Sequence, residues 1–486
     1  MKYQLFQPFL KRLFLPSATL LLCTTLLFQC NSSNEALVAV QKEDTIVFIG
    51  NNLCSRMLNY GDVETAIYTT FPDSNLIIRN MCDGGDRPGF RPHSGRKTPW
   101  PFPGAEAFQD ELAQPSGSVG HLEYPDEWLS MVETDILLAF FGYTASFDGI
   151  ERLPIFKEEL GAFLKHTLEQ EYNGESAPEL ILLSPIAFED LTDQYDLPDG
   201  IQENENLEAY TEAMAEVAAQ YEVPFVDLFH ASQKWYQSNP APLTIDGFQL
   251  NELGNQVIAD HLKKVVFGGK SVKHPEEALV KAAVLEKNWF WHNDYKVPNG
   301  VHVFGRRYEP FGPDNYPPEI KKNREMTAIR DQAIWAALQG ETMDLAKADA
   351  GTSKLPAVET NFQPSNKNGN PEYLYGDEAI SRIKVAEGYE ISLFASEREF
   401  PDLANPVQIS FDDQGRLWVA TMPTYPHYRP GDEKPNDKLI ILEDTNGDGK
   451  ADKQTVFADN LHLPVGFEFA PDGVYISQGT NLKRYT

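Results

Sequence analysis

The sequence predicts a three-layer α/β domain with a parallel sheet, followed by a helical segment and an incomplete all-β propeller portion. Between residues 45 and 266, short apolar runs of strand length alternate with longer stretches of helical periodicity. This alternation is typical of doubly wound folds and favours a flavodoxin-like arrangement. From about residue 372 the pattern changes to short strands separated by turns, which is typical of all-β structure.

Residues 1–30 have the pattern of a bacterial lipoprotein signal peptide. A basic start precedes an apolar run that ends at Cys30. The segment Leu27-Phe28-Gln29-Cys30 resembles a lipobox, although Gln29 replaces the usual small residue. We expect a lipid on Cys30, a polar tether over residues 31–44, and a location on the periplasmic or extracellular face of the cell envelope. The membrane would then be a partner only through this anchor.

The charge balance excludes nucleic acid as an expected partner. The 486 residues carry a formal net charge of −31. An acidic surface repels phosphate backbones and anionic lipid headgroups, and no basic cluster in the sequence offsets it.

The first β-α unit predicts where a ligand pocket should lie. Thr45–Ile49 reads as a buried strand, Gly50 breaks it, and a helix is predicted over residues 53–69. Asn51 and Asn52 supply the turn chemistry between them. Because open α/β sheets bind ligands at the carboxyl ends of their strands, residues 50–55 should lie at the mouth of a pocket.

The remaining elements follow the same alternation. Further strands are predicted at Asn75–Arg79, Asp135–Phe141, Glu179–Ser184 and Pro224–Leu228, and further helices over residues 151–171, 204–221 and 251–266. Residues 83–125 are predicted to form a long functional loop. Residues 267–350 predict a helical and aromatic extension, with helices at Glu276–Asn288 and Lys321–Leu338 around Trp289–His292, and residues 351–371 predict a linker.

Several motifs of the α/β region resemble those of SGNH (GDSL-type) hydrolases, in the same order over residues 45–266. The family's Gly-Asp-Ser-Leu turn corresponds to Gly50-Asn51-Asn52-Leu53, so Asn52 stands where the family has its nucleophilic serine. The oxyanion-hole glycine corresponds to Gly84 or Gly85. The resemblance implies the fold, but an amide cannot attack an ester.

In each of two later motifs, a residue that the family uses in catalysis is also replaced. The Gly-x-Asn motif, whose Asn donates to the oxyanion, corresponds to Gly142-Tyr143-Thr144, so Thr144 replaces the amide. The Asp-x-x-His motif corresponds to Asp246 and Gln249, so the general base is replaced by a side chain that does not titrate. No residue is therefore assigned as catalytic in this degenerate site.

Two interpretations of the altered site stay open. Asn51, Asn52, Gly142 and Gln249 would line a pocket for a carbohydrate or another small hydroxyl-rich ligand, or the site has drifted and these residues serve only turns and packing. Three nearby residues are candidates for a replacement catalytic pair: Ser55, His93 and His121.

Cys54 and Cys82 follow the first and second strands. In the SGNH topology those strands are neighbours, so the resemblance implies a disulfide at the pocket rim. A nucleophilic role for Cys54 is the alternative, although it lies two residues beyond the serine position.

The C-terminal region predicts hairpins and a calcium loop. A strand, a turn and a strand occur at residues 408–420 and again at residues 466–478, as in propeller blades. Between them, oxygen ligands fall at the spacing of a Ca²⁺ loop: Asp444, Asn446, Asp448, Lys450 through its carbonyl, and Asp452. Thr455 occupies the position of the usual bidentate Glu, so we expect a weak, structural site.

The order of domains resembles the N-terminal part of bacterial envelope proteins of the membrane-bound dehydrogenase or PVC-type haem-binding family. The residues that carry this resemblance are Gly50–Leu53, Phe304–Arg307, Ala328–Asp331, Val385–Glu390 and Pro406–Ala420. The family often carries a Cys-x-x-Cys-His haem motif, which is absent from this sequence, so no haem is assigned.

The sequence therefore supports three functional hypotheses. The first is a non-catalytic carbohydrate-binding or scaffolding domain in a sugar-processing envelope lipoprotein. The second is an esterase with an unorthodox site. The third is the N-terminal part of a sugar dehydrogenase or haem electron-transfer protein.

Overall fold

The computed structural model describes residues 36–109, 118–270, 272–360 and 374–486. The predicted signal peptide with Cys30 and residues 361–371 of the predicted linker lie outside the described residues. Within these ranges, no helix combines the length and the apolar character needed to cross a membrane.

A five-stranded parallel sheet forms the centre of the N-terminal region. Its spatial order is β2-β1-β3-β4-β5, which is the flavodoxin-like order. The strands are β1 Thr45–Gly50, β2 Ile77–Asn80, β3 Ile136–Phe140, β4 Glu179–Leu183 and β5 Phe225–Val226. The sheet therefore confirms the predicted three-layer α/β class for this part of the chain.

Helices cover both faces of the sheet and create two cores. Along β1, Ile46 and Phe48 enter one core while Val47 and Ile49 enter the other, because side chains alternate along a strand. The helices of this region are α1 Asn52–Tyr60, α2 Asp62–Thr70, α3 Pro125–Met131, α4 Tyr143–Ser146, α5 Leu153–Leu168, α6 Ile201–Gln220, α7 Leu228–Ser238 and α8 Glu252–Val265. Short 3₁₀ helices occur at Ala105–Phe108 and Ile150–Arg152.

Two predicted elements of the α/β region are wrong in detail. The single helix predicted over residues 53–69 is divided into α1 and α2 at Gly61, whose φ of 72° ends the first helix. The strand predicted at Pro224–Leu228 is reduced to two residues. Its end is converted into α7 because the Asp227 side chain accepts a hydrogen bond from the His230 amide at 2.9 Å and caps the helix.

The helical extension packs directly on the α/β region. It contains α9 Glu277–Tyr295, α10 Gly300–Val303, α11 Gly312–Leu338 and α12 Leu345–Asp349. The aromatic stretch predicted between two helices lies inside α9, where the buried Trp291 donates to the Asn80 carbonyl at 2.6 Å. Helix α11 begins before the predicted Lys321; Pro317 and Pro318, which normally oppose helix interiors, obscured its start.

Two buried ion pairs join this extension to the sheet and to α2. Lys287 on α9 contacts Glu64 at 2.5 Å, and the two side chains are 0% and 1% exposed. Asn288 also donates to Glu64, at 2.8 Å. Arg79 on β2 forms two hydrogen bonds, at 2.8 and 2.6 Å, with Asp331 on α11. Buried charges need such partners, so these contacts fix how the extension docks.

The C-terminal region consists of α13 Gly376–Ile380, a 3₁₀ turn at Pro401–Leu403 and two antiparallel sheets. The four-stranded sheet contains β6 Pro406–Phe411, β7 Leu417–Thr421, β8 Asp437–Glu443 and β9 Lys453–Leu461, and the three-stranded sheet contains β10 Pro464–Ala470, β11 Gly473–Gln478 and β12 Asn481–Tyr485. Gln408 bridges the sheets through two hydrogen bonds of 2.8 Å with the main chain of Phe467. These sheets are consistent with the predicted all-β region, and the propeller stays a prediction.

Candidate functional site

The turn after β1 is built by a glycine and two asparagines. Gly50 has φ of 130°, and a Cβ there would lie 1.9 Å from the Phe140 carbonyl oxygen, so a larger residue cannot fit. The Asn51 amide donates to that carbonyl at 3.1 Å. The Asn51 side chain is 2% exposed, and its Nδ2 has no hydrogen-bond partner among the described residues. Asn52 then begins α1 and faces the cleft described below.

Cys54 and Cys82 form a disulfide with a Cα–Cα distance of 5.8 Å. Both residues are fully buried, which removes Cys54 as a free thiol in this structure. Asn80 supports the bridge by donating to the Cys54 carbonyl at 2.7 Å and accepting from the Cys82 amide at 3.0 Å. The start of α1 is therefore held against the loop that follows β2.

Reducing this disulfide should lower the free energy of unfolding by about 2–4 kcal/mol, because the unfolded chain regains the freedom of a closed loop. The measurement is urea unfolding of residues 31–486, oxidised and reduced, with a Cys54→Ala/Cys82→Ala variant as the control that should not respond to reductant. Two thiols that react with a thiol reagent in the native, unreduced protein would contradict this expectation.

The loop before α8 holds the altered acid–base motif in a fixed shape. The Asp246 carboxylate accepts hydrogen bonds from the Phe248 amide at 3.1 Å and the Gln249 amide at 2.7 Å. Phe248 stacks on Tyr143, with ring centroids 3.4 Å apart. Gly247 has φ of 90°, a conformation that favours glycine. The loop is thus held by several local contacts, and one oxygen of its carboxylate, Oδ1, accepts from main-chain donors rather than from an imidazole.

The replaced oxyanion motif lies next to the glycine loop. Gly142 has φ of 97°, and a Cβ there would lie 2.8 Å from the Met214 sulfur. The Thr144 hydroxyl donates to the Gly84 carbonyl at 3.3 Å. The Thr144 carbonyl accepts from Arg87, which also binds Asp148 at 2.5 and 2.9 Å. The hydroxyl at position 144 is therefore used in a loop contact instead of being a free donor.

A cleft of 1120 Å³ lies at the carboxyl ends of the strands. Among the predicted site residues, it brings together Asn52, Ser55, Gly84, Asp246 and Gln249. Asn51, Gly142 and Thr144 are not among its lining residues. The hairpin of β11 and β12 also lines this cleft through Asp472, Tyr475 and residues 480–485, a contribution that the sequence did not predict.

Lys296, just after α9, is the centre of a polar cluster in the cleft wall. Its ammonium lies 3.0 Å from Asp83 and 3.1 Å from the Ser55 hydroxyl. Burial alone would raise the pKa of Asp83, but the attraction of Lys296 outweighs it and the pKa is lowered. The pair is therefore a carboxylate and an ammonium, and a charged ammonium cannot take the proton of Ser55.

Among the described residues, neither histidine proposed for a replacement pair forms a hydrogen bond with Ser55. One ring nitrogen of His93 contacts the Lys296 carbonyl at 2.7 Å and the other accepts from the Gly95 amide at 3.0 Å. Burial lowers the pKa of His93 to about 4. His121 lies 3.0 Å from Glu127 in an exposed position. Ser55 is paired with a lysine instead.

Lys296 and the residues of β12 carry no signal in the sequence that marks them for this site. They lie far along the chain from Asn52, and only the packing of α9 and β12 brings them to the cleft. Another cleft residue, His292, belongs to the aromatic stretch of α9, and burial lowers its pKa to about 3. It is neutral near pH 7.

The predicted calcium loop forms a tight turn between β8 and β9. The Asp444 carboxylate accepts from the amides of Gly447 and Gly449, each at 2.7 Å, and Asp452 accepts from the Thr445 hydroxyl at 2.8 Å. In the part of the chain that the structure describes, no group of three or more His, Cys, Asp or Glu side chains is arranged to hold a metal ion. Calcium binding here stays a prediction.

The comparisons with known proteins cover separate parts of the chain. Residues 376–485 match a family model described as a domain of unknown function (DUF7133). No curated protein matches the chain.

Several solved structures are similar to about half of the chain. A gut microbial diltiazem-metabolizing enzyme is 16% identical with a TM-score of 0.35, over 48% of this chain and 49% of its own. A protein described as a GDSL-like lipase from Parabacteroides merdae is 14% identical with a TM-score of 0.35, over 48% and 99%. A catalytic mutant of Axe2, an acetylxylan esterase from Geobacillus stearothermophilus, is 14% identical with a TM-score of 0.32, over 48% and 100%. Sequence identities and TM-scores this low carry no information on the activity or substrate of this protein.

Proposed function

We propose that this cleft binds a carbohydrate without hydrolysing it, as part of an SGNH-like domain whose catalytic residues have been replaced. The observation that carries the proposal is the joint presence of Asn52, Asp246 and Gln249 in one cleft at the carboxyl ends of the strands. The two amides can donate to and accept from sugar hydroxyls, and the carboxylate can accept from them. Neither amide is a nucleophile or a base, so the three residues do not form a catalytic pair.

The rigidity of the Asp246 loop favours binding over a drifted site. Its carboxylate is held by two main-chain amides, so Gln249 is presented from a preformed loop rather than from a mobile one. A preformed set of polar groups lowers the conformational-entropy cost of binding, because fewer side chains and loops must be ordered.

The test is titration calorimetry with a panel of neutral and acidic trisaccharides. Asn52→Ala and Gln249→Ala should each weaken binding about tenfold, because each removes hydrogen bonds of about 1–1.5 kcal/mol in a desolvated cleft. Gln220→Ala is the matched control, since this exposed amide at the end of α6 lies outside the cleft. The panel binding equally to all four proteins, or to none, would contradict the proposal.

An esterase with an unorthodox site is the second candidate, because Ser55 is 3.1 Å from Lys296. A serine and a lysine form the catalytic pair of some hydrolases when the amine is neutral. Lys296 is engaged in an ion pair with Asp83 at 3.0 Å and is therefore not free to act as a base, so we expect no hydrolysis of acetylated trisaccharides above the rate in buffer. Hydrolysis that is lost in Ser55→Ala but kept in Asn52→Ala would favour this candidate instead.

The proposal includes the envelope setting predicted from Cys30, with the lipid as membrane anchor. The third hypothesis, a front portion of a sugar-oxidising electron-transfer protein, agrees with a carbohydrate ligand but requires redox chemistry elsewhere. The lipid anchor and the electron-transfer role both stay predictions, because they depend on residues or partners outside the cleft.

A further inference from the structure

Two cations in the cleft lack a partner of opposite charge. Arg56 lies on α1 and Lys483 on β12, and both line the cleft. Within the described ranges, neither has a carboxylate at ion-pair distance; the Arg56 guanidinium has one long contact, 3.5 Å, with the Tyr60 hydroxyl. Its buried Nε atom has no hydrogen-bond partner among the described residues.

Each of the other cationic side chains that line the cleft forms an ion pair with a carboxylate. Lys296 lies 3.0 Å from Asp83, and Arg484 lies 2.7 Å from Asp472. Lys483 is exposed, yet its surroundings desolvate the ammonium and lower its pKa. Arg56 and Lys483 are therefore the two cleft cations available to an incoming anion.

Building on the proposed carbohydrate site, we propose that the bound saccharide is acidic and that Arg56 and Lys483 bind its carboxylate. Charge-assisted hydrogen bonds from a guanidinium and an ammonium are stronger than bonds to a neutral hydroxyl. Asp196 and Asp246 line the same cleft and can accept hydrogen bonds only from hydroxyls of such a ligand. A neutral sugar would engage these acceptors but would place no carboxylate beside Arg56 or Lys483.

These two cations lie in a protein that is strongly acidic as a whole. With a net charge of −31, the protein repels anions over most of its surface, so selectivity for an acidic sugar must come from nearby cations. The two cations also come from distant parts of the chain, since Lys483 falls within residues 376–485 of the matched family. The acidic sugar would therefore contact the α/β domain and the C-terminal sheets together.

The test uses pairs of ligands that differ only in the carboxylate. Tri-galacturonic acid is compared with its carboxyl-reduced trisaccharide, and a glucuronic acid trisaccharide with its reduced form, by titration calorimetry of the complete 31–486 chain. In at least one pair, the acidic member should bind at least tenfold more tightly at low salt. This preference should shrink as salt rises, because salt screens the attraction.

Arg56→Gln and Lys483→Gln should each remove most of the preference, because each should weaken binding of the acidic trisaccharide more than binding of the reduced one. Lys384→Gln removes the same charge from an exposed lysine that does not line the cleft, and it should keep the preference. Equal binding of both members in both pairs would overturn the inference and leave the proposed function standing. Binding of no trisaccharide at all would overturn both, and unchanged selectivity in Arg56→Gln and Lys483→Gln would overturn the assigned residues.

Discussion

A chain that ends at Gly268 should fail to fold, although it contains every strand of the parallel sheet. Helices α9 and α11 supply Val280, Val284 and Ile334 to one core and Trp291 and Tyr295 to the other. Removing one large core side chain typically costs about 2–5 kcal/mol, and a domain has only about 5–15 kcal/mol in total. The loss of all these side chains therefore exceeds the stability of the domain.

The comparison chain ends at Ala350 and retains both helices. Urea unfolding and near-UV circular dichroism of residues 36–268 and 36–350 measure the difference, and only the longer chain should give a cooperative transition. A cooperative transition of the shorter chain, with an intact near-UV spectrum, would show instead that residue 266 is a true folding boundary.

Replacing Lys287 by methionine should destabilise the protein by about 3–5 kcal/mol, because it leaves the buried Glu64 carboxylate without its cation. Glu64 is 1% exposed and the 2.5 Å contact with Lys287 is its closest charged partner. The effect is measured as the free energy of unfolding in urea. This loss of stability should be among the largest that any single substitution in the chain causes.

A double variant separates the isolated charge from lost packing. Glu64→Gln in the Lys287→Met background removes the charge and still lets residue 64 accept from Asn288, so it should recover most of the loss. Lys157→Met, which breaks an exposed pair with Glu216, should cost at most about 1 kcal/mol. A loss for Lys287→Met no larger than that for Lys157→Met would contradict the account of the buried pair.

The positions of the parallel strands along the chain could be predicted from the sequence because buried strands leave a strong local pattern. Thr45–Gly50 is buried at every position and is apolar over Ile46–Ile49, and its burial follows from coverage of both faces. Elements decided by a single side chain were missed, such as α7, whose start depends on the Asp227 cap. The two-residue β5 shows the same limit, since its length is set by where that helix begins.

The site was predictable only where its residues follow strands in sequence. Asn52 and Asp246 occupy motif positions that can be read from the chain, and both line the cleft. Lys296 and Lys483 come from a helical extension and a hairpin whose docking depends on contacts between distant residues. Local patterns carry no information on such contacts, so the cationic part of the cleft could be found only in three dimensions.

The pairing of Arg79 with Asp331 also restricts how this sequence can change over time. The two residues lie 252 positions apart, are nearly inaccessible to solvent, and exchange two hydrogen bonds. A single substitution that removes either charge leaves the other charge buried and unpaired, which is strongly destabilising and therefore selected against. Proteins that share this docked extension should therefore keep both residues or replace both. Substitutions at the two positions should be correlated.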